Sequence, residues 1–253
     1  MGQNRVPDFL GLGVQKGGTT TLHTLLAAHP QLMLPKKKEL HFFTHRYWRG
    51  KRWYGRQFRA ATPDQRCGEI TPYYIFHPLV PERIHRCCPK ARLIVLLRDP
   101  VERALSQFFH SQRFGLELLP LEQALAAEPA RLRHAEKALK RGRRDKSHQE
   151  HSYVARSKYE LQLQRYEQLF SRDQLWIGRS EDLFEHPELV WRELLQWLEL
   201  DVIPLPEFGV RANVGVGGLK DLDKALKAYL CAQLKEQLRE TYSSMADRYS
   251  LYW

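Results

Sequence analysis

What the chain lacks narrows its class first. Nowhere in its 253 residues does an apolar run approach the roughly 18–20 residues that cross a bilayer. The opening stretch, Met1 to Asp8, has no apolar leader core, and position 6 is Val where N-myristoylation asks for Ser or Thr. The expectation is a cytoplasmic protein with no transmembrane segment and no lipid anchor. Cysteine is scarce: Cys67, Cys87, Cys88 and Cys231 show no metal-ligand spacing, and adjacent Cys87 and Cys88 are poorly placed to bridge each other. Buried thiols in a reducing compartment are expected. Internal repeats and low-complexity linkers are also missing.

What is present belongs to a globular protein, with a hydrophobic fraction of 43% and an aromatic fraction of 11%. The length suits one domain over 1–253, with a basic helical excursion at about 111–152. A formal charge of +11 favours an anionic ligand, substrate or surface.

The most informative stretch is Phe9 to Leu22. Phe9 to Val14 reads as a short buried strand, glycines 17 and 18 as a turn, and Leu22, Leu25 and Leu26 as the inner face of a helix. A strand turning through glycines into a helix N-terminus gathers backbone N–H groups and the positive end of the helix dipole, which suits a phosphate. The common nucleotide loop G-x-x-x-x-G-K-[ST] places lysine after its second glycine. Here Thr19 follows Gly18, and the cation, Lys16, stands ahead of the glycines.

Further along, Gln31–Leu34 reads as a second strand. Lys36-Lys-Lys-Glu-Leu-His-Phe-Phe43 then sets three cations beside a carboxylate and an imidazole. Glu39 and His41, two apart, would share one side of an extended segment. For Glu39 a salt bridge to a neighbouring lysine is the simpler alternative. Tyr47–Phe58 reads as an amphipathic surface element, Cys67–Pro72 as a strand ending in a turn, and Pro81–Cys88 as a short helix.

Leu93–Leu97 is a continuous apolar run, as expected of a central parallel strand. Arg98-Asp-Pro100 lies where it ends, with Arg103 and Ser106 one turn apart on the following helix. Arginine at the carboxyl edge of a parallel sheet can fork two hydrogen bonds onto a phosphate, with Ser106 adding a hydroxyl. The alternative there is an Arg98–Asp99 structural pair.

Residues 131–146 hold eight Lys or Arg against two acids, a solvated face or flap, or a grip for an acidic polymer. That polymer could be a nucleic acid, but no aromatics interleave with the run, which argues against a single-strand stacking platform, and no nucleic acid is expected as partner. Tyr153–Phe170 reads as a helix, Gln174–Gly178 as a strand, Pro187–Leu198 as a helix and about Leu222 to Tyr242 as a last helix. Strand and helix patterns alternate, so the fold class is α/β with a mainly parallel sheet.

Four of these segments, in this order, resemble the sulfotransferase family that uses 3′-phosphoadenosine 5′-phosphosulfate (PAPS), nearest to the heparan-sulfate branch and its bacterial relatives. They are Lys16-Gly-Gly-Thr-Thr-Thr-Leu22, Lys38-Glu-Leu-His-Phe-Phe43, Arg98-Asp-Pro-x-x-Arg-x-x-Ser106, and Arg156-Ser-Lys-Tyr159 with the later Ser180-Glu-Asp-Leu183. The resemblance covers Phe9 to about Leu200. It implies a P-loop-type open sheet flanked by helices on both faces, and sulfuryl transfer without a metal. By the same resemblance Lys16 contacts the bridging oxygen, and Gly17, Gly18, Thr19, Thr20 and Thr21 form the 5′-phosphosulfate loop. Arg98 and Ser106 would hold the 3′-phosphate, with Tyr159 also on the cofactor side. Glu39 would be the base, with His41 as second choice, and adenosine 3′,5′-bisphosphate the product. The implied acceptor is a hydroxyl, less readily an amine, of a carbohydrate, glycolipid or small metabolite.

Two positions depart from the branch. Ile70 stands where relatives often carry lysine, and no Lys-Gly-Arg loop is visible near the C-terminus, where Lys220 occupies about that place. Two rival functions stay open at this level: a Mg-ATP-dependent P-loop kinase, and a non-catalytic binder of acidic polymers.

Overall fold

A computed structural model describes residues 5–207 and 224–253. The first strand β1 (Phe9–Gly13) runs into helix α1 (Thr19–Ala27) and a short β2 (Leu32–Met33). Helices α2 (Phe42–His45) and α3 (Gly50–Gly55) precede β3 (Arg66–Ile70) and α4 (Val80–Cys87). Then β4 (Arg92–Leu97) leads into α5 (Pro100–Arg113), α6 (Leu121–Leu132), α7 (Ala135–Lys140) and α8 (Lys146–Glu150). After α9 (Tyr159–Glu167) come β5 (Leu175–Arg179), α10 (Ser180–Glu185) and α11 (Pro187–Trp197). The last two helices are α12 (Lys224–Gln237) and α13 (Arg239–Tyr249).

The strands line up as β2-β3-β1-β4-β5, and every pairing among the described residues is parallel. The fold class is the expected α/β with a parallel sheet. The chain builds outward from β1 on one side through β3 and β2, and on the other through β4 and β5. The carboxyl end of β1 therefore borders the point where strand order reverses, the place where such sheets take their ligands.

Two compact units divide the chain: Met1–Leu97 with Arg165–Asn213, and Arg98–Gln164 with Val214–Trp253. The first contains the whole sheet. Phe9, Ile70, Ile94 and Leu96 pack on one face with Leu22, Leu25 and Leu26 of α1 and with Trp191, Leu194 and Leu195 of α11. Leu10, Leu12, Leu93, Val95 and Leu97, which alternate with them, are buried too. Both faces of β1 and β4 are thus covered, which is why these strands read as unbroken apolar runs. In the second unit Val101, Leu105 and Phe108 of α5 pack with Leu121, Tyr153, Leu230, Leu234 and Leu238.

Three expectations change. The last helix is two, α12 and α13, broken at Leu238 (φ −110°), while Leu222 lies outside the described residues. The Tyr153–Phe170 helix is shorter, with a 3-10 turn at Ala155–Ser157 before α9. Tyr47–Phe58 is less of a surface element than expected, since Tyr54 and Phe58 are fully buried while Trp48 is exposed. Among the described residues no helix is long and apolar enough to cross a membrane.

Candidate functional site

The loop from Val14 to Gly18 is tied to the sheet by Val14 N–H on the Leu96 carbonyl (2.9 Å) and closed on itself by Gly17 N–H on the Val14 carbonyl (3.1 Å). Lys16 (φ 73°) and Gly18 (φ 83°) are both left-handed. A Cβ on Gly17 would stand 2.7 Å from the Leu96 carbonyl oxygen, so only glycine lets the loop lie this close to β4. Gly18 caps α1 with no side chain, and the first turn, Thr19–Thr21, contains no acid. Backbone N–H groups point outward at the start of a helix, and with the helix dipole they favour an anion there. Thr19 and Thr21 are buried and Thr20 half-buried. Ser180 at the start of α10 borders the same loop, its hydroxyl 3.4 Å from where a Gly18 Cβ would be.

Glu39 and His41 do meet, by a different route from the expected extended segment. Both are left-handed, at φ 59° and 51°, and His41 is the N-cap of α2. The Glu39 carboxylate accepts from Lys38 Nζ at 2.7 Å and stands 3.5 Å from His41 Nε2. Partial burial alone raises its pKa, but His41 and Lys38 outweigh that and hold it at about 2. The carboxylate is ionised and its side chain is 40% exposed. The lysine salt bridge and the histidine contact coexist. His41 Nδ1 lies 3.2 Å from Thr44 Oγ1, and its ring stacks on His45 with centroids 4.9 Å apart.

Sequence reasoning missed two neighbours. His23 on α1 feels both Lys38 and Glu39, and burial foremost, then Lys38, lowers its pKa. Glu69, at 2% exposure, lies under the Glu39–His41 segment and accepts the hydroxyls of Tyr54 (2.7 Å), Tyr74 (2.7 Å) and Thr71 (2.8 Å). The signal was available in Glu69-Ile-Thr71 and the later Tyr74, but nothing local says that these side chains converge.

In the second unit, Asp99 caps α5 by accepting the Glu102 N–H at 2.7 Å, with Pro100 in the first turn. Arg98 pairs with Glu102 at 3.3 Å, an i,i+4 contact along the same helix start. Glu102 and the half-buried Ser106 are one turn apart, which puts Ser106 on the helix face that Arg98 reaches. Tyr159 is fully buried and its hydroxyl donates to the Arg98 carbonyl at 2.8 Å. It holds the turn from behind. Tyr242 of α13 donates to the Asp99 carboxylate at 2.7 Å.

Arg103 turns inward. It is fully buried, donates to Ser157 Oγ at 2.6 Å and to the Tyr153 carbonyl, and burial lowers its pKa to about 10. In the basic excursion, Arg131 forks onto buried Glu117 at 2.5 and 3.2 Å. Arg133, Lys137, Lys140 and Arg141 are exposed. Lys220 lies outside the described residues.

Comparison with known proteins bears on these residues. Residues 6–212 match the model of the sulfotransferase domain family. The membrane-associated sulfotransferase kil1 of Dictyostelium discoideum is 41% identical over 109 residues, 42% of this chain and 23% of that protein. Human heparan sulfate glucosamine 3-O-sulfotransferase 6 is 39% identical over 107 residues, 42% of this chain and 31% of that protein. The match therefore spans less than a third of these curated relatives. The crystal structure of a sulfotransferase from Alicyclobacillus acidocaldarius superposes with a TM-score of 0.70 at 26% identity, covering 93% of this chain and 96% of that one.

Proposed function

We propose, from the premise that this chain belongs to the sulfotransferase domain family, that it moves a sulfuryl group from PAPS to a hydroxyl of an acceptor. The observation that carries the reading is the loop around Lys16, whose cation stands ahead of an uncapped, acid-free helix N-terminus. In support, only glycine at position 17 lets the loop lie this close to Leu96, where a Cβ would stand 2.7 Å from the carbonyl oxygen, and such close-lying loops suit a phosphate group. PAPS supplies the sulfuryl group and departs as adenosine 3′,5′-bisphosphate.

In this reading the N–H groups and hydroxyls of Thr19, Thr20 and Thr21 bind the 5′-phosphate. Lys16 offers its charge to the bridging oxygen as negative charge builds there. Arg98 and Ser106 bind the 3′-phosphate, and Tyr159 supports Arg98 through its carbonyl. Glu39 takes the acceptor's hydroxyl proton as the new O–S bond forms and the bond to the bridging oxygen breaks. A carboxylate held near pKa 2 is a weak base, and its contacts with His41 and Lys38 are what hold it there. His41 orients Glu39 and is the second choice for the base.

A carbohydrate hydroxyl is the acceptor we favour, supported by the relative named for heparan sulfate glucosamine. We read both units as parts of one sulfotransferase domain, because the matched segment 6–212 includes residues of each. A cytoplasmic location is supported by Cys67, Cys87, Cys88 and Cys231, none of which forms a disulfide.

The test is sulfate transfer from PAPS to glucosamine-containing oligosaccharides. Lys16→Ala and Glu39→Gln are each expected to lower kcat by about a hundredfold or more. Unchanged turnover in both removes the assigned roles. Thermal stabilisation by Mg-ATP and none by adenosine 3′,5′-bisphosphate would overturn the donor.

A further inference from the structure

Glu39 and His41 hold a backbone conformation that costs a non-glycine residue energy and persists only where the surroundings over-determine it. The surroundings here are the end of β3 and the residues after it. Glu39 N–H donates to the Ile70 carbonyl (3.2 Å) and Leu40 N–H to Glu69 Oε2 (3.2 Å). His41 N–H donates to Thr71 Oγ1 (3.5 Å) and Phe43 N–H to the Tyr74 hydroxyl (3.4 Å). The Thr71 and Tyr74 hydroxyls in turn donate to Glu69, at 2.8 and 2.7 Å. Three of the four segment N–H groups thus end on one buried carboxylate, directly or through a single hydroxyl.

We propose that Glu69 is the positioning residue that sets the Glu39–His41 pair, a role that rests on the reading of Glu39 as the base. Its four donors saturate both oxygens: Tyr54 and Tyr74 on Oε1, Thr71 and Leu40 on Oε2. Burial and the Glu69 charge push the Tyr54 and Tyr74 phenols well above their ordinary pKa, so both stay donors. The carboxylate faces no cation among these partners. Its bonds run to the Glu39–His41 segment, and the next residue, Ile70, directs its fully buried side chain into the core.

Two variants each remove one hydroxyl from the same carboxylate. Thr71→Val breaks the relay to His41, whereas Tyr54→Phe removes a donor with no bond to the segment. Thr71→Val is expected to lower kcat about tenfold, a misplacement effect, while Tyr54→Phe changes it at most about twofold. Affinity for adenosine 3′,5′-bisphosphate stays within about threefold in both. Amide hydrogen exchange over residues 38–46 is expected to quicken in Thr71→Val and Glu69→Gln but not in Tyr54→Phe.

Equal kcat losses in Thr71→Val and Tyr54→Phe, tracking their thermal midpoints, would make Glu69 merely structural and overturn the proposal. Unchanged exchange over 38–46 in Glu69→Gln and Thr71→Val overturns it as well. In a Glu39→Gln background Thr71→Val is expected to cost no further kcat. If Glu39→Gln alone leaves turnover intact, the base assignment fails, and the exchange result still decides the positioning role.

Discussion

The Lys16–Glu39 region and the Arg98–Ser106 region hold their functional groups by opposite means. In the first, four positions (Lys16, Gly18, Glu39 and His41) are left-handed, and a buried carboxylate with two hydroxyls, those of Thr71 and Tyr74, stabilises the segment from Glu39 to Phe43. In the second, an Asp99 cap, Pro100 and regular helix do the same work without a strained residue. One arrangement aims side chains by forcing the backbone, the other by extending a standard helix start. The forced arrangement is sensitive to single atoms, and under the proposed reading it carries the base Glu39 as well as the loop that binds the 5′-phosphate. The relaxed one tolerates change, and under the same reading its groups only bind.

That contrast can be broken by substitution. The largest effect is expected from Gly17→Ala, whose new methyl meets the Leu96 carbonyl at 2.7 Å. Turnover should fall by more than about a hundredfold, with product affinity by calorimetry collapsing alongside. Asp99→Ala in the relaxed region should behave differently. Loss of the cap and of the Tyr242 partner costs about 1–2 kcal/mol, seen as a lower thermal midpoint, and product affinity drops more than kcat. If Asp99→Ala damages kcat as badly as Gly17→Ala, the distinction between aiming and binding regions does not hold.

Two pH experiments sharpen the same comparison. Lys38→Met removes a partner that, with His41, holds Glu39 at about 2. A base must be ionised to act, so the acid limb of the kcat profile should move upward toward the ordinary carboxylate value of 4.5. In the second unit Glu117 is held at about 2: burial raises it, while Arg131, the Leu119 N–H and Tyr153 pull it lower. Its folded pKa lies below 4.5, so its contribution is complete above that pH and lost as pH falls toward about 2. Glu117→Gln should flatten that part of the acid-unfolding curve. The smallest expected effect is that of Lys140→Ala, since its pair with Glu136 is surface-exposed and contributes well under about 1 kcal/mol to thermal stability.

Much of the architecture was legible in the residues. Leu93–Leu97 announced a covered strand because both faces are buried, and Trp191, Leu194, Leu195 and Leu198 announced the inner stripe of α11. Asp99-Pro100 carried its own helix start. The left-handed state of Glu39 and His41 was not legible, since acceptors 29 or more residues away in sequence impose it. Nor was the break at Leu238: Leu230, Leu234 and Leu238 continue one helical spacing into the break, and no glycine or proline marks it. Glu69 was overlooked for a related reason. A carboxylate inside a strand looks like an edge or an error until its four donors, brought by three separate segments, are seen together.

The hydrogen bond from Tyr242 to Asp99 bears on where a shortened version of this protein can be cut. The segment recognised as sulfotransferase domain stops at residue 212, thirty positions before that tyrosine. An expression boundary drawn at 212 would delete α12 and α13, strip Leu230, Leu234 and Leu238 from the core of α5, and leave the Asp99 carboxylate one donor short. The motif would survive in the sequence while its foundation was gone, so the segment that matches the family model is smaller than the packed unit around α5.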